Sequence, residues 1–145
     1  MYTEGDHVYF AGAFHVPSLY HHGVYVGNNQ IAHFWGPSTK KNYAAVRLIS
    51  TRDFEALAAK ENEPVRVLDA RKRLSREETV TRALSKLGAS GYNFITNNCE
   101  HFVNWCVQGV AYSPQVNYQY KIAPVDPRAT LRLRFDGSKF VYVEV

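Results

Sequence analysis

His21-His22-Gly23-Val24-Tyr25-Val26-Gly27-Asn28-Asn29-Gln30-Ile31-Ala32-His33-Phe34-Trp35 is the stretch from which the rest of the chain is read. Apolar and aromatic residues flank Gly27-Asn28-Asn29, a strong turn composition. Residues 22–35 are therefore predicted to form a β-hairpin, ended by Gly36-Pro37-Ser38. With the turn centred near Asn28 and Asn29, His33 falls opposite Val24 or nearby, and His21 lies diagonal to it. Neighbouring strands are about 4.8 Å apart, so both imidazoles can leave one face toward a common helix end. A slip of one residue would aim His33 the other way.

Outward from the hairpin, His7 to Phe10, Ala45 to Ile49 and Val65 to Leu68 read as strands, and Thr51 to Lys60 as a short helix. Arg76 to Leu87 reads as a longer helix. Ser75 and Glu78 supply a capping box, Val80, Leu84 and Leu87 an apolar face, and Gly88 a stop. Another helix begins at or near Cys99 and ends at Gly109, with apolar residues at 102, 103, 106, 107 and 110. Residues 113–129 carry prolines and no helical period. Thr130 to Phe135 and Lys139 to Val145 flank Asp136-Gly137 as a second hairpin.

A chain of 145 residues is the size of one domain. Its 46% hydrophobic and 21% charged residues argue against a disordered chain. No apolar run approaches the roughly 18–20 residues of a membrane span, and the first residues carry no secretory signal pattern. A net charge of +4 suits an anionic surface. No arginine-rich tail or RNA-binding signature points to nucleic acid as a partner. Cys99 and Cys106 stand seven apart on one predicted helix. That is a rise of about 10.5 Å, beyond the roughly 7 Å limit for a disulfide. Free thiols fit a reducing compartment.

A helix beginning at Cys99 sets the thiol at the positive end of the macrodipole, where thiolate is favoured. Such a nucleophile needs a base, and the base an orienting group. His21 and His33 qualify by placement. His22 is the pleat neighbour facing away, His101 a hydrogen-bonding residue on the helix face, and Cys106 a core residue. A zinc site from His21, His33, Cys99 and His101 is disfavoured, because Cys99 and His101, at i and i+2 on a helix, point apart. No metal or cofactor is therefore expected.

His21-His22-Gly23-Val24-Tyr25-Val26-Gly27, then Ile31-Ala32-His33, then Asn97-Asn98-Cys99-Glu100-His101-Phe102-Val103 resemble the lecithin:retinol acyltransferase-like family, also called H-box/NC. Arg82 to Gly88, Asn104-Trp105-Cys106, Gly109 and Ser113-Pro114-Gln115 extend the resemblance over roughly residues 4–116. It implies an α+β fold of the circularly permuted papain-like (NlpC-type) kind, an antiparallel sheet packed with helices and a nucleophilic cysteine at a helix N-terminus. Residues 1–116 would be the catalytic domain and 117–145 a C-terminal extension ending in a β-hairpin.

The resemblance further implies Cys99 as nucleophile, His21 as general base and His33 as the residue orienting that base. The implied chemistry is acyl transfer or hydrolysis on a phospholipid ester through an acyl-Cys99 thioester, with water, an amine or an alcohol as acceptor. The short interval from His33 to Cys99 argues against retinol as that acceptor. Two alternatives stand: a cysteine amidase or peptidase on the same fold, and a non-catalytic interaction or regulatory module. The expected location is cytoplasmic and peripheral at membranes, through Phe34, Trp35 and the basic residues Arg66, Arg71, Lys72 and Arg73.

Overall fold

The computed structural model describes residues 1–13, 16, 19–35, 44–94 and 97–145. The expected stop at Gly36-Pro37-Ser38 lies outside them. Strands β1 (His7–Ala11), β2 (Tyr20–Gly27), β3 (Gln30–Trp35), β4 (Ala45–Ser50) and β5 (Arg66–Leu68) form one antiparallel sheet in the order β4-β3-β2-β1-β5. Helix α1 (Thr51–Ala59) covers one face, burying Phe54 and Ala58 against Val8, Phe10 and Ile31. Helices α2 (Arg76–Ser85) and α3 (Cys99–Gln108) cover the other, where Phe102, Val103 and Cys106 meet Val24, Ala32 and Phe34.

The β2–β3 turn is built as expected, with Asn28 and Asn29 both at positive φ, 52° and 57°. A bulge between Tyr25 and Gly27 then shifts the register, so His33 pairs with Gly23 rather than Val24. Gly23 is required there. A Cβ at this position would stand 2.5 Å from Ile31 Cγ2 and 3.2 Å from the Ala32 carbonyl oxygen.

Ser75 caps α2 by accepting from the Glu78 N–H. The buried face, however, is Thr79 and Ala83, whereas Leu84 and Leu87 are exposed. The helix lies close against α3 and β2, and small side chains let the backbones approach. Residues 113–129 also differ from expectation. Ser113 caps a short helix α4 (Pro114–Tyr120), with proline at its first position, where a missing N–H costs nothing. The chain ends in the antiparallel pair β6 (Leu131–Phe135) and β7 (Phe140–Glu144). Leu131 joins Val110, Tyr112 and Ala129 in a small core of its own.

Candidate active site

Asn98 sets the start of α3. Its side-chain oxygen accepts from the N–H groups of Glu100 and His101, at 2.8 and 3.0 Å, and His101 Nδ1 accepts from the Asn98 N–H at 3.1 Å. This closed capping box makes Cys99 the first helical residue. His101 is spent on the cap, the helix-face role expected of it.

Tyr25 exchanges backbone hydrogen bonds with Gly5 and Asp6 on the β1 side. By alternation, Val24, His22 and Tyr20 turn their N–H and C=O groups toward β3. Among the described residues the β2–β3 ladder stops at Gly23 and His33, which leaves His22 and Tyr20 with no strand partner on that side. Two side chains take over. The Gln115 amide accepts from Tyr20 N–H at 2.7 Å and donates to Tyr20 C=O at 3.3 Å, imitating a strand residue. The Cys99 thiol donates to the same carbonyl at 3.8 Å and receives the His22 N–H. Cys99 Sγ therefore sits where the two strands part. It lines a small cleft of about 80 Å³ together with Leu19, Tyr92, Phe94 and Gln115.

His21 and His33 meet on the α1 face of the sheet. Their nitrogens, Nε2 of His21 and Nδ1 of His33, are 2.8 Å apart. Both rings lie against Phe54 and Trp35. Two of the three expected site residues are thus joined directly. Among the described residues neither imidazole is hydrogen-bonded to Cys99, whose partners are the backbone of Tyr20 and His22. His22 does face away from His21, but toward α3, so it is the histidine sharing a face with the cysteine helix.

The electrostatics overturn one expectation. The helix start predicts a lowered thiol pKa, yet burial, aided by the neighbouring Glu100 carboxylate, pushes Cys99 up to about 12. N–H groups of His22, Cys99 and Glu100 pull it down without offsetting the burial. Burial likewise holds His21 well below the ordinary imidazole range and lowers His33 to about 3, with the Arg47 charge adding to the effect on His33. The resting site is therefore a neutral thiol and neutral imidazoles.

Sequence reading missed a buried cluster behind Cys99. Glu100 is fully buried, and its carboxylate accepts from Ser113 Oγ at 2.6 Å, Gln115 N–H at 2.9 Å and Tyr142 Oη at 2.6 Å. His22 Nε2 stands 3.1 Å from it, and His22 Nδ1 is 2.7 Å from His7 Nε2. Burial opposes ionisation of Glu100, but the His22 charge and the hydrogen bonds from His22, Ser113 and Tyr142 outweigh it and hold the pKa low. One sequence signal was available for Glu100: it shares the buried stripe of Val103 and Val107. Tyr142, far along the chain, offered none.

The surface expectation is also corrected. Phe34 is buried in the core, and Trp35 stacks on the His33 ring, so these rings are not a membrane-facing pair. Arg73 bonds Gly5 C=O, Leu74 C=O and Thr79 Oγ1, a structural role. Arg66, Arg71 and Lys72 remain exposed. Among the described residues no helix is long and apolar enough to cross a membrane.

An antiparallel sheet flanked by helices, with a cysteine at a helix start and paired histidines on adjacent strands, makes this an α+β protein. The family model described as lecithin retinol acyltransferase matches residues 1–112, and the chain belongs to that family. It is 31% identical over 140 residues to the lecithin retinol acyltransferase of Mus musculus, covering 77% of this chain and 59% of the relative. For the Homo sapiens protein the values are 32% over 123 residues, 67% and 52%. For that of Bos taurus they are 32% over 126 residues, 68% and 53%. The chain thus spans between half and three-fifths of the length of these relatives.

Proposed function

We propose that this chain carries out thiol-dependent acyl transfer or hydrolysis on phospholipid esters, with Cys99 as nucleophile, His21 as general base and His33 as the residue that orients it. The observation that carries this reading is the position of Cys99 Sγ at the parting of β2 and β3, the two strands that bear the hydrogen-bonded imidazoles. Family membership and the names of the relatives support the acyl chemistry. The fold is read as the permuted papain-like kind, with residues 1–116 as catalytic domain and 117–145 as extension.

In the chemistry we infer, His21 Nε2–H donates to His33 Nδ1, which leaves His21 Nδ1 with the lone pair a base needs. Because both groups rest neutral, the thiol proton passes to His21 Nδ1 as Sγ attacks the ester carbonyl. The N–H groups of His22 and Cys99, which favour negative charge at Sγ, are suited to the oxyanion that forms. Collapse breaks the ester C–O bond, the lysophospholipid alkoxide takes the proton from His21, and the acyl group stays on Cys99. Water, an amine or an alcohol then gives its proton to His21 and attacks the thioester, and the departing sulfur recovers that proton.

A second reading, a non-catalytic module, is favoured by one observation: the thiol is buried and donates to a carbonyl in the resting state. A cysteine amidase on the same fold is the third. Free buried thiols support a reducing, cytoplasmic location, and Arg66, Arg71 and Lys72 support peripheral contact with anionic lipid. The test is fatty-acid release from dihexanoylphosphatidylcholine. Wild type and Cys106→Ala should turn over and Cys99→Ala should not. Turnover surviving in Cys99→Ala, or amide cleavage without ester cleavage, contradicts the proposal.

A further inference from the structure

We propose that Tyr142, supplied by the C-terminal hairpin beyond the stretch that matches the family, is a positioning residue for the chemistry at Cys99; this rests on the reading of Cys99 as nucleophile. Tyr142 Oη donates to Glu100 Oε2 at 2.6 Å and lies 2.9 Å from His22 Nε2. It therefore bridges the residue after the cysteine and the residue whose backbone N–H meets the cysteine sulfur. Its ring is packed at 5.2 Å from those of both Tyr9 and Tyr20, which fixes the hydroxyl from two sides.

A carboxylate offers about four lone-pair sites, and those of Glu100 are filled. Ser113 Oγ and Gln115 N–H occupy Oε1, while Tyr142 Oη and His22 Nε2 occupy Oε2. Those contacts tie four segments together: the start of α3, strand β2, the start of α4 and strand β7. The same anchor sets the two groups that replace β3 along the open edge of β2. Gln115, which reaches Tyr20, is tied to Glu100 through its own N–H, and His22, whose backbone acts on Sγ, is tied to it through its ring. Removing the Tyr142 hydroxyl leaves one carboxylate site empty and the Glu100 charge less dispersed beside Sγ. The less dispersed charge disfavours thiolate.

Tyr142→Phe keeps the packed ring and removes only the hydroxyl. On dihexanoylphosphatidylcholine, kcat should fall about tenfold while KM stays within about twofold, because the lost alignment matters at the transition state. Alkylation of Cys99 by iodoacetamide at pH 8, read by peptide mass, should slow about threefold or more. The second readout needs no lipid chemistry. If wild type fails to turn over phospholipid, the proposed function falls, and alkylation alone decides the role of Tyr142. A merely structural role has the opposite sign, since a loosened core exposes Cys99 and speeds its alkylation. Faster or unchanged alkylation in Tyr142→Phe, or an unchanged kcat in an active enzyme, overturns the proposal.

Discussion

His21 Nε2 and His33 Nδ1 stand 2.8 Å apart on the face of the sheet covered by α1, with both rings buried against Phe54. The contact joins residues twelve apart in sequence through a bulged hairpin, and it fixes which nitrogen of His21 is free to act. If His33 orients and His21 reacts, their losses should differ. His33→Gln should lower kcat about 10–100-fold, the range for removing an orienting partner. His21→Ala should lower it about 10²–10⁴-fold, the range for a general base. Equal losses in steady-state assays, or a larger loss in His33→Gln, would reverse the assignment.

Alkylation of the resting protein should reflect its proton-bearing thiol. With Cys99 pushed up to about 12, iodoacetamide at pH 7 should label it about tenfold or more slowly than the same residue in the urea-unfolded chain. Cys106, with no exposure and a thiol also raised by burial, should be slower still. Labelling of folded Cys99 as fast as in the unfolded chain would show that a thiolate pre-exists.

Acid should destabilise the fold through its neutral imidazoles. His33 titrates near 3 when folded, against an ordinary 6.5, so between those values the unfolded chain binds the extra proton. Stability is then fully present above pH 6.5 and falls as the pH drops toward 3, with His7 and His21 acting in the same direction. Thermal midpoints from pH 7.5 down to 4.5 should decline in wild type and decline less steeply in His33→Gln. Parallel curves would remove His33 from this account.

Phe34 separates a core role from a surface one. It packs among Val24, Val46 and Phe102 and meets the Tyr92 ring at 5.2 Å. Phe34→Ala should lower unfolding stability by about 3–5 kcal/mol, the usual cost for a buried phenylalanine. Any binding to anionic vesicles should instead respond to Arg71 and Lys72 and fade with salt. A stable Phe34→Ala that loses vesicle binding would restore the membrane-facing reading.

Local signals accounted for most of the elements. Apolar alternation and Asn28-Asn29 marked β2 and β3, Ser75 marked the start of α2, and Asp136-Gly137 marked the last turn. What failed depended on packing at a distance. The face of α2 was misread because its approach to α3 selects Thr79 and Ala83 over larger neighbours. Helix α4 lies within 113–129, where prolines and the lack of a helical period hide the cap at Ser113 and the first-position Pro114. His33 pairs next to Val24 as expected, at Gly23, although composition did not announce the bulge that sets this register. The likeness of the His21, His33 and Cys99 motifs to a known family was legible. The polar anchor on Glu100 was not, since it is assembled from segments as distant as Ser113 and Tyr142.

Whether Cys99 carries an acyl group during turnover is tested most directly by intact-mass spectrometry of the full chain. Acid-quenched mixtures with dihexanoylphosphatidylcholine should show wild type with one added hexanoyl group, removed by neutral hydroxylamine and mapped to the Cys99 peptide. Cys99→Ala should show none. Turnover without any adduct on Cys99, or an adduct that persists in Cys99→Ala, would contradict the account.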